Sequence, residues 1–219
     1  MEQLIAPQFL FIAGIVVFLT VIAMHLIKKS ISVVYFYVIQ SSMISLLLLY
    51  SSFVRHSFFV LAVTMLITAV KIIIAPGFFL RLIKKNELKF SASSYLNMPM
   101  TLIAITIITA IARSRFFHPL TVINPTNEST LLISIAAMLI SLFMIINRKG
   151  ALSQMIGVLS LENSIVSFAF TAGLEQKPGL ELGITFDIFV WIIIATVFVS
   201  MVYKKFKTLD VTEMSRLKG

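Results

Sequence analysis

Seven apolar runs, each close to the length of a membrane-crossing helix, dominate this sequence. They lie near residues 5–27, 31–54, 57–80, 96–114, 130–147, 151–173 and 183–203. A helix needs about 20 predominantly apolar residues to cross the hydrocarbon core of a bilayer. Hydrophobic residues make up 59% of the chain and charged residues only 12%, which is far from the composition of a soluble domain. The sequence therefore predicts an all-α integral membrane protein with seven transmembrane helices. The first run has no basic segment before it and is expected to be a retained helix.

The basic residues predict the orientation of these helices in the membrane. Most of them follow the first, third, fifth and seventh runs, whereas the opposite connections carry few. By the positive-inside rule, the N-terminus is expected outside and the C-terminus in the cytoplasm. The same distribution explains the net charge of +9 as a property of membrane flanks, so no nucleic-acid partner is expected. The basic residues on the cytoplasmic side are Lys28, Lys29, Arg81, Lys84, Lys85, Lys89, Arg148, Lys149, Lys204, Lys205, Lys207, Arg216 and Lys218.

An internal similarity appears when the chain is shifted against itself by 120 residues. The segment 71–75 then falls on 191–195, and the basic turn 28–30 falls on 148–150. We interpret spans 1–3 and 5–7 as two parallel three-helix repeats joined by span 4, because one extra helix gives both copies the same orientation. This divides the chain into a first repeat at 1–90, a linking helix with an outer loop at 91–128, and a second repeat with a short cytoplasmic tail at 129–219.

Three charged residues lie inside these apolar runs. Glu162 falls near the middle of the sixth span, with Ser160 and Asn163 as possible hydrogen-bond partners. Ionisable groups within a membrane span usually face the interior of the bundle or a wet path. Because burial disfavours the charged form, such a carboxyl can take up and release a proton near neutral pH. Glu162 is therefore a candidate proton relay, and the alternative is a structural carboxyl that joins neighbouring helices.

The other two charged residues have a structural and a functional interpretation each. Lys71 lies about two to three turns from the basic end of the third span, too far for its amine to reach the surface easily. Pro76 follows five residues later and should weaken the helix there. Lys71 can thus be a switchable partner of a carboxylate or a static ion pair between helices. Asp187 can line an outer entrance or be solvated at a helix N-terminus. Gln40 in the second span is expected to support helix contacts.

The chain has no cysteine, which excludes disulfides, thiolate metal sites and cysteine-held iron–sulfur clusters. It also has no glycine-rich phosphate loop and no sizeable soluble region. We expect no catalytic residue, no cofactor and no metal in this chain.

Several segments resemble the hydrogenase-4 component E family over nearly the whole chain. They are 156–163 (IGVLSLEN), 183–187 (GITFD), the tail 208–219 (TLDVTEMSRLKG), and Lys71 followed by Pro76. The last three helices of that family are similar to the K-type subunit of respiratory complex I and to a small subunit of Mrp-type cation antiporters. That K-type subunit carries two membrane glutamates implicated in proton transfer. Counted from the tail, one of them would fall on Trp191, one turn after Asp187, and the other about one turn from Glu162.

The resemblance implies a membrane subunit of a complex I-like hydrogenase in a prokaryotic cytoplasmic (inner) membrane. Its expected partners are antiporter-like and other membrane subunits, a peripheral hydrogenase module that holds the metal centres, and the lipid bilayer. In one hypothesis, Glu162, Lys71 and Asp187 form part of a proton or cation path, supported by Asn163, Ser160 and Gln40. In the alternative, the chain is a structural adaptor that docks antiporter-like subunits without direct ion transfer.

Overall fold

The structure, a computed structural model, describes residues 7–54, 56, 58–85 and 94–174, and the regular elements within these ranges are helical. The α-helices are α1 (Pro7–Leu26), α2 (Ser30–Val54), α3 (Phe58–Ala69), α4 (Ala75–Lys85), α5 (Met98–Ala112), α6 (Glu128–Asn147) and α7 (Ala151–Thr171). A π-helical segment, Val70–Ile74, joins α3 to α4, and two short 3₁₀ turns, His118–Ile123 and Pro125–Asn127, precede α6.

Four of these helical stretches are long and apolar enough to cross a membrane. They are Pro7–Leu26, Ser30–Val54, Phe58–Arg81 and Pro125–Asn147, and they coincide with the first, second, third and fifth predicted spans. The fourth predicted span is the shorter apolar helix α5. The sixth is α7, which has 21 residues but a more polar composition, since it carries Gln154, Glu162 and Asn163. The predicted seventh span, 183–203, lies outside the described residues. The regular elements of the described part are therefore all helical, and several of them have the length and composition of membrane spans.

The third span does not break at Pro76 but widens just before it. In an α-helix the carbonyl four residues before a proline loses its donor, because proline has no N–H. Here the N–H of Ala75 bonds to the carbonyl of Val70, five residues earlier, so that the turn before the proline is π-helical. The weakening predicted at Pro76 thus takes the form of a local expansion of the helix, and Lys71 lies inside it.

The helices pack as two hairpins placed side by side. Helix α1 packs against α2, α6 and α7, and α2 packs against α3 and α7. Helices α1 and α6 run parallel: Gly14 lies beside Thr130, and His25 near the other end bonds through Nε2 to the carbonyl of Ile140 at 3.1 Å. The two hairpins begin 121 residues apart, from residue 7 to 128 and from 30 to 151, one residue from the offset found in the sequence. The third helix of the second copy lies outside the described residues, so the three-helix repeat stays a prediction.

Arg148 joins the two hairpins. It follows α6, is 1% exposed, and its Nη2 donates to the carbonyls of Met24, of His25 at 3.1 Å and of Ile27 at 3.0 Å. The last carbonyls of a helix lack partners within the helix, and a cation there also favours the helix dipole. Burial lowers the pKa of Arg148 to about 10, so the guanidinium remains charged at neutral pH. The sequence identifies Arg148 only as a basic residue that indicates membrane orientation. In the structure its guanidinium caps the C-terminal end of α1 from inside the protein.

Three apolar clusters lie in the described part of the bundle, and two of them lie on either side of Lys71 along the helices. The first lies toward the α1–α2 and α6–α7 connections, and its members include Val21, Tyr37, Val70, Ala75 and Leu159. The second lies toward the α2–α3 turn and includes Val17, Ile44, Ile67, Ala137 and Val166. The boundary between these two clusters falls within a few residues on each of α1, α2, α7 and the third span. The buried side chains of Gln40, Ser41, Lys71 and Asn163 lie near this boundary.

A buried polar layer around Lys71 and Glu162

An ion pair and an amide connect the third span to α7. The Nζ atom of Lys71 lies 2.9 Å from Oε1 of Glu162 and donates a 2.7 Å hydrogen bond to Oδ1 of Asn163. The two acceptors are adjacent in α7, and both contact the one ammonium group. Because the π-helical segment adds one residue to a turn, it changes which residues of this span face α7.

Asn163 extends this contact to two further helices. Its Nδ2 atom donates to Oγ of Ser41 at 2.9 Å and to Oε1 of Gln40 at 3.3 Å, both on α2. Gln40 in turn lies 3.5 Å through Nε2 from the carbonyl of Val17 on α1, which is a long hydrogen bond. These groups form one continuous set across α1, α2, the third span and α7. We call the side chains of Gln40, Ser41, Lys71, Glu162 and Asn163 the polar layer.

A separate group of serines joins α6 to α7 beside this layer. Ser160 bonds to Ser141 across the two helices at 3.0 Å, and Ser141 also lies 3.3 Å from Ser164. Nearer the other end of α7, Ser134 and Ser167 are 3.2 Å apart. Ser160, which the sequence indicates as a partner for Glu162, therefore has a hydrogen bond to α6. Small hydroxyl residues of this kind allow two membrane helices to approach closely.

The two charged residues of the polar layer differ in their access to the surroundings. Lys71 is 1% exposed, and Gln40, Ser41 and Asn163 are fully buried, whereas Glu162 is 16% exposed. The ammonium group is therefore buried inside the bundle, whereas the carboxylate keeps some exposure.

The position of the layer makes the pairing necessary. Apolar clusters lie on both sides of it, and removing a charge from water without a partner costs several kcal/mol. Lys71 receives compensation from a carboxylate and from an amide oxygen, so its charge is balanced and hydrogen-bonded. The arrangement holds the Lys71–Glu162 pair in the low-dielectric interior, so the charge of one partner affects the charge of the other.

The sequence identified Lys71, Glu162, Asn163 and Gln40, and left open whether the first two touch. The structure brings all four into one network. Asp187 and Trp191 lie outside the described residues. Ser41 and the π-helical turn are the parts of the site that the sequence did not assign to it, although Pro76 indicates a disturbed helix. Within the described ranges, no group of three or more His, Cys, Asp or Glu residues has the geometry to hold a metal ion.

Comparison with protein-family models, with curated proteins and with solved structures finds no match for this chain.

Proposed function

We propose that this chain is a non-catalytic membrane subunit of a complex I-like, membrane-bound hydrogenase, and that the polar layer belongs to its proton or cation path. The observation that carries the ion-path part is the Lys71–Glu162 pair, in which the ammonium group is buried and the carboxylate is partly exposed. The hydrogenase part rests on the resemblance of segments 156–163, 183–187 and 208–219. In this proposal the chain has seven spans, an outer N-terminus and a cytoplasmic C-terminus in a prokaryotic cytoplasmic membrane.

The pair can act as a charge-coupled relay. When a proton binds Glu162, the ammonium of Lys71 loses its compensating charge while it remains buried. A buried, uncompensated cation is unfavourable, so proton uptake at Glu162 favours movement of the Lys71 amine to another acceptor. The π-helical turn that contains Lys71 offers a place where such a rearrangement costs few backbone hydrogen bonds.

The remaining parts of the proposal concern partners. Redox chemistry takes place in a peripheral module that supplies the metal centres, and antiporter-like subunits extend the ion path on either side of this chain. Asp187 continues the path toward the outer surface.

One observation favours a structural adaptor as the second candidate. Asn163 is fully buried and bonds to Lys71, Gln40 and Ser41 at once, a pattern that also serves to fix helices against one another. In that case the polar layer stabilises assembly and carries no ions.

The decisive experiment compares variants of the intact complex. The tagged chain is purified in mild detergent, its partners are identified by mass spectrometry, and the complex is reconstituted into proteoliposomes. Hydrogen-dependent electron transfer and ion uptake are then recorded together for wild type, Glu162→Gln and Lys71→Met. Glu128→Gln is the matched control, because Glu128 is exposed and pairs with His118 away from the polar layer.

The two candidates predict different results. For an ion path, Glu162→Gln and Lys71→Met keep the subunits assembled and electron transfer active, while ion uptake falls. For an adaptor, either the complex dissociates or both activities stay normal. Purification without any metal-containing partner would refute the hydrogenase assignment, whatever the variants do.

A further inference from the structure

Four hydroxyl groups between the α2–α3 turn and the polar layer have no hydrogen bond within the described part of the chain, and each hydroxyl oxygen is buried. One belongs to Ser51 near the turn, and the three closer to the polar layer belong to Ser45 on α2 and to Thr64 and Thr68 on α3. Their sequence neighbours Ile44 and Ile67 belong to the second apolar cluster. Since buried polar groups nearly always have a hydrogen-bond partner, four such groups in one region require an explanation.

The helix backbone itself is an available partner that these hydroxyls do not use. Elsewhere in the same bundle, hydroxyl groups donate to a carbonyl three or four residues earlier in their own helix. Thr20, Ser42, Ser164 and Thr171 all do so, at 2.7–2.9 Å. Ser45, Thr64 and Thr68 instead hold their hydroxyls away from this backbone partner.

The three residues are placed on two stripes that lead to the polar layer. On α2, Ser45 is one turn from Ser41, which is four residues earlier and bonds to Asn163. On the third span, Thr64, Thr68 and Lys71 follow at spacings of four and three residues, which puts them on one helix face. Helices α2 and α3 pack against each other and are consecutive in the chain, with the turn between them at His56. Thr64 lies about 12 Å along its helix from His56, and Ser51 on α2 lies within that distance of the turn. The stripe from Thr64 to Lys71 covers about 10 Å more at 1.5 Å per residue.

We propose that these hydroxyls line a narrow, water-filled access path from the membrane face of the α2–α3 turn to Lys71 and Glu162. Ordered waters that bridge Ser45, Thr64 and Thr68 supply the missing hydrogen bonds and form a file along which protons move. The path deepens the proposed function, and its use in proton transfer rests on that function. The presence of water beside these residues is a physical property that can be tested without any transport assay.

The test uses the absence of cysteine from the native chain. Ser45→Cys, Thr64→Cys and Thr68→Cys each introduce a single thiol in the full chain, within its native membrane. Sealed vesicles of each orientation are treated with silver ions, which follow water into narrow paths. The thiols that remain are then labelled with a fluorescent maleimide after denaturation. Ile67→Cys is the matched control, because Ile67 lies between the two threonines in sequence and is buried among apolar residues.

The proposed path predicts how fast each thiol reacts with silver and from which side of the membrane the silver reaches it. Thiols at positions 45, 64 and 68 should react at least about tenfold faster than the thiol at position 67, because hydrocarbon strongly disfavours an ion. The reaction should be fast only when silver is added on the side of the α2–α3 turn. Rates equal to that of the control, or faster reaction from the opposite side, would overturn the proposal. Such a result would leave the effect of Glu162→Gln on ion uptake unchanged. Failure of the water path can therefore be distinguished from failure of the proposed ion-path function.

A second measurement does not depend on the reactivity of cysteine. Thr64→Val keeps the shape of the side chain and removes its hydroxyl. If the hydroxyl is dry and unpartnered, its removal should raise the unfolding temperature, because an unsatisfied buried polar group is unfavourable. If it is bonded to water, as proposed, its removal should lower that temperature. A rise for both Thr64→Val and Thr68→Val would count against the path.

Discussion

Removing one member of the Lys71–Glu162 pair should destabilise the protein more than removing both. Glu162→Gln removes the negative charge that balances an ammonium group that is 1% exposed, and leaves it with neutral amide oxygens as acceptors. Breaking a buried pair in this way typically lowers the free energy of unfolding by about 3–5 kcal/mol. Lys71→Met leaves the carboxyl of Glu162, which is 16% exposed and can be neutralised by a proton. Its cost should be smaller, about 2 kcal/mol, as for a polar group left unpaired.

The double variant Lys71→Met/Glu162→Gln should lie within about 1 kcal/mol of wild type, because a buried pair replaced by neutral groups is often nearly neutral in stability. The measurement is a double-mutant cycle, with unfolding free energies obtained by titrating SDS into protein held in mild detergent. We expect a coupling energy of at least about 3 kcal/mol between positions 71 and 162. The control cycle on His118 and Glu128, which are exposed and 3.2 Å apart, should give less than about 1 kcal/mol. A double variant as unstable as the sum of the single variants would refute the buried-pair argument.

Three further predictions concern the surrounding helices. Arg148→Met should lower the unfolding free energy by about 3 kcal/mol, because the last carbonyls of α1 lose charge-assisted hydrogen bonds. The control Lys149→Met should change it by less than about 1 kcal/mol. SDS titration measures both values. Gly157→Ala should be destabilising, since its Cβ would lie 3.0 Å from a side-chain carbon of the facing helix, while Gly77→Ala, with open space around its Cβ, should be neutral or stabilising by up to about 1 kcal/mol. Equal thermal stabilities of these two alanine variants would contradict the packing of α6 on α7. Pro76→Ala restores a backbone donor and should let the π-helical turn become α-helical, which would reduce the coupling energy between positions 71 and 162; Gly77→Ala should leave that coupling unchanged.

The apolar runs allowed most helices to be predicted because membrane burial imposes both a length and a composition. The predicted runs at 5–27 and 31–54 correspond to Pro7–Leu26 and Ser30–Val54. Helix α7 is less apolar than the other described spans because Glu162 and Asn163 stand where a membrane helix usually has apolar residues. The same two residues make α7 part of the candidate site. Lys71 and Glu162 could be identified as candidates for a related reason: an ionisable side chain in hydrocarbon is unfavourable enough to stand out in a single sequence.

Contacts between helices could not be predicted in the same way. Nothing in the local sequence of Arg148 distinguishes a basic flank from an internal cap on α1, since that depends on the approach of two distant helices. The role of Ser41 has the same origin, because a serine at a helix interface becomes part of a charged site only when Asn163 lies beside it. Proline chemistry indicated a disturbance near Pro76, but the choice between a kink and a π-helical turn depends on how the third span packs.

The π-helical turn connects these observations. A regular α-helix through residues 70–74 would face α7 with a different set of side chains, because one residue fewer per turn rotates the rest of the helix by about 100°. The turn lets Lys71 meet Glu162 and Asn163 while Ala75 and Phe79 beyond it still join the first apolar cluster. Pro76 makes the regular alternative less favourable, so the sequence stabilises the widened turn beside the buried charge. In the proposed relay, a buried ammonium group and a partly exposed carboxylate meet at this widened turn, where the backbone can change its hydrogen-bond pattern when the charge of the pair changes.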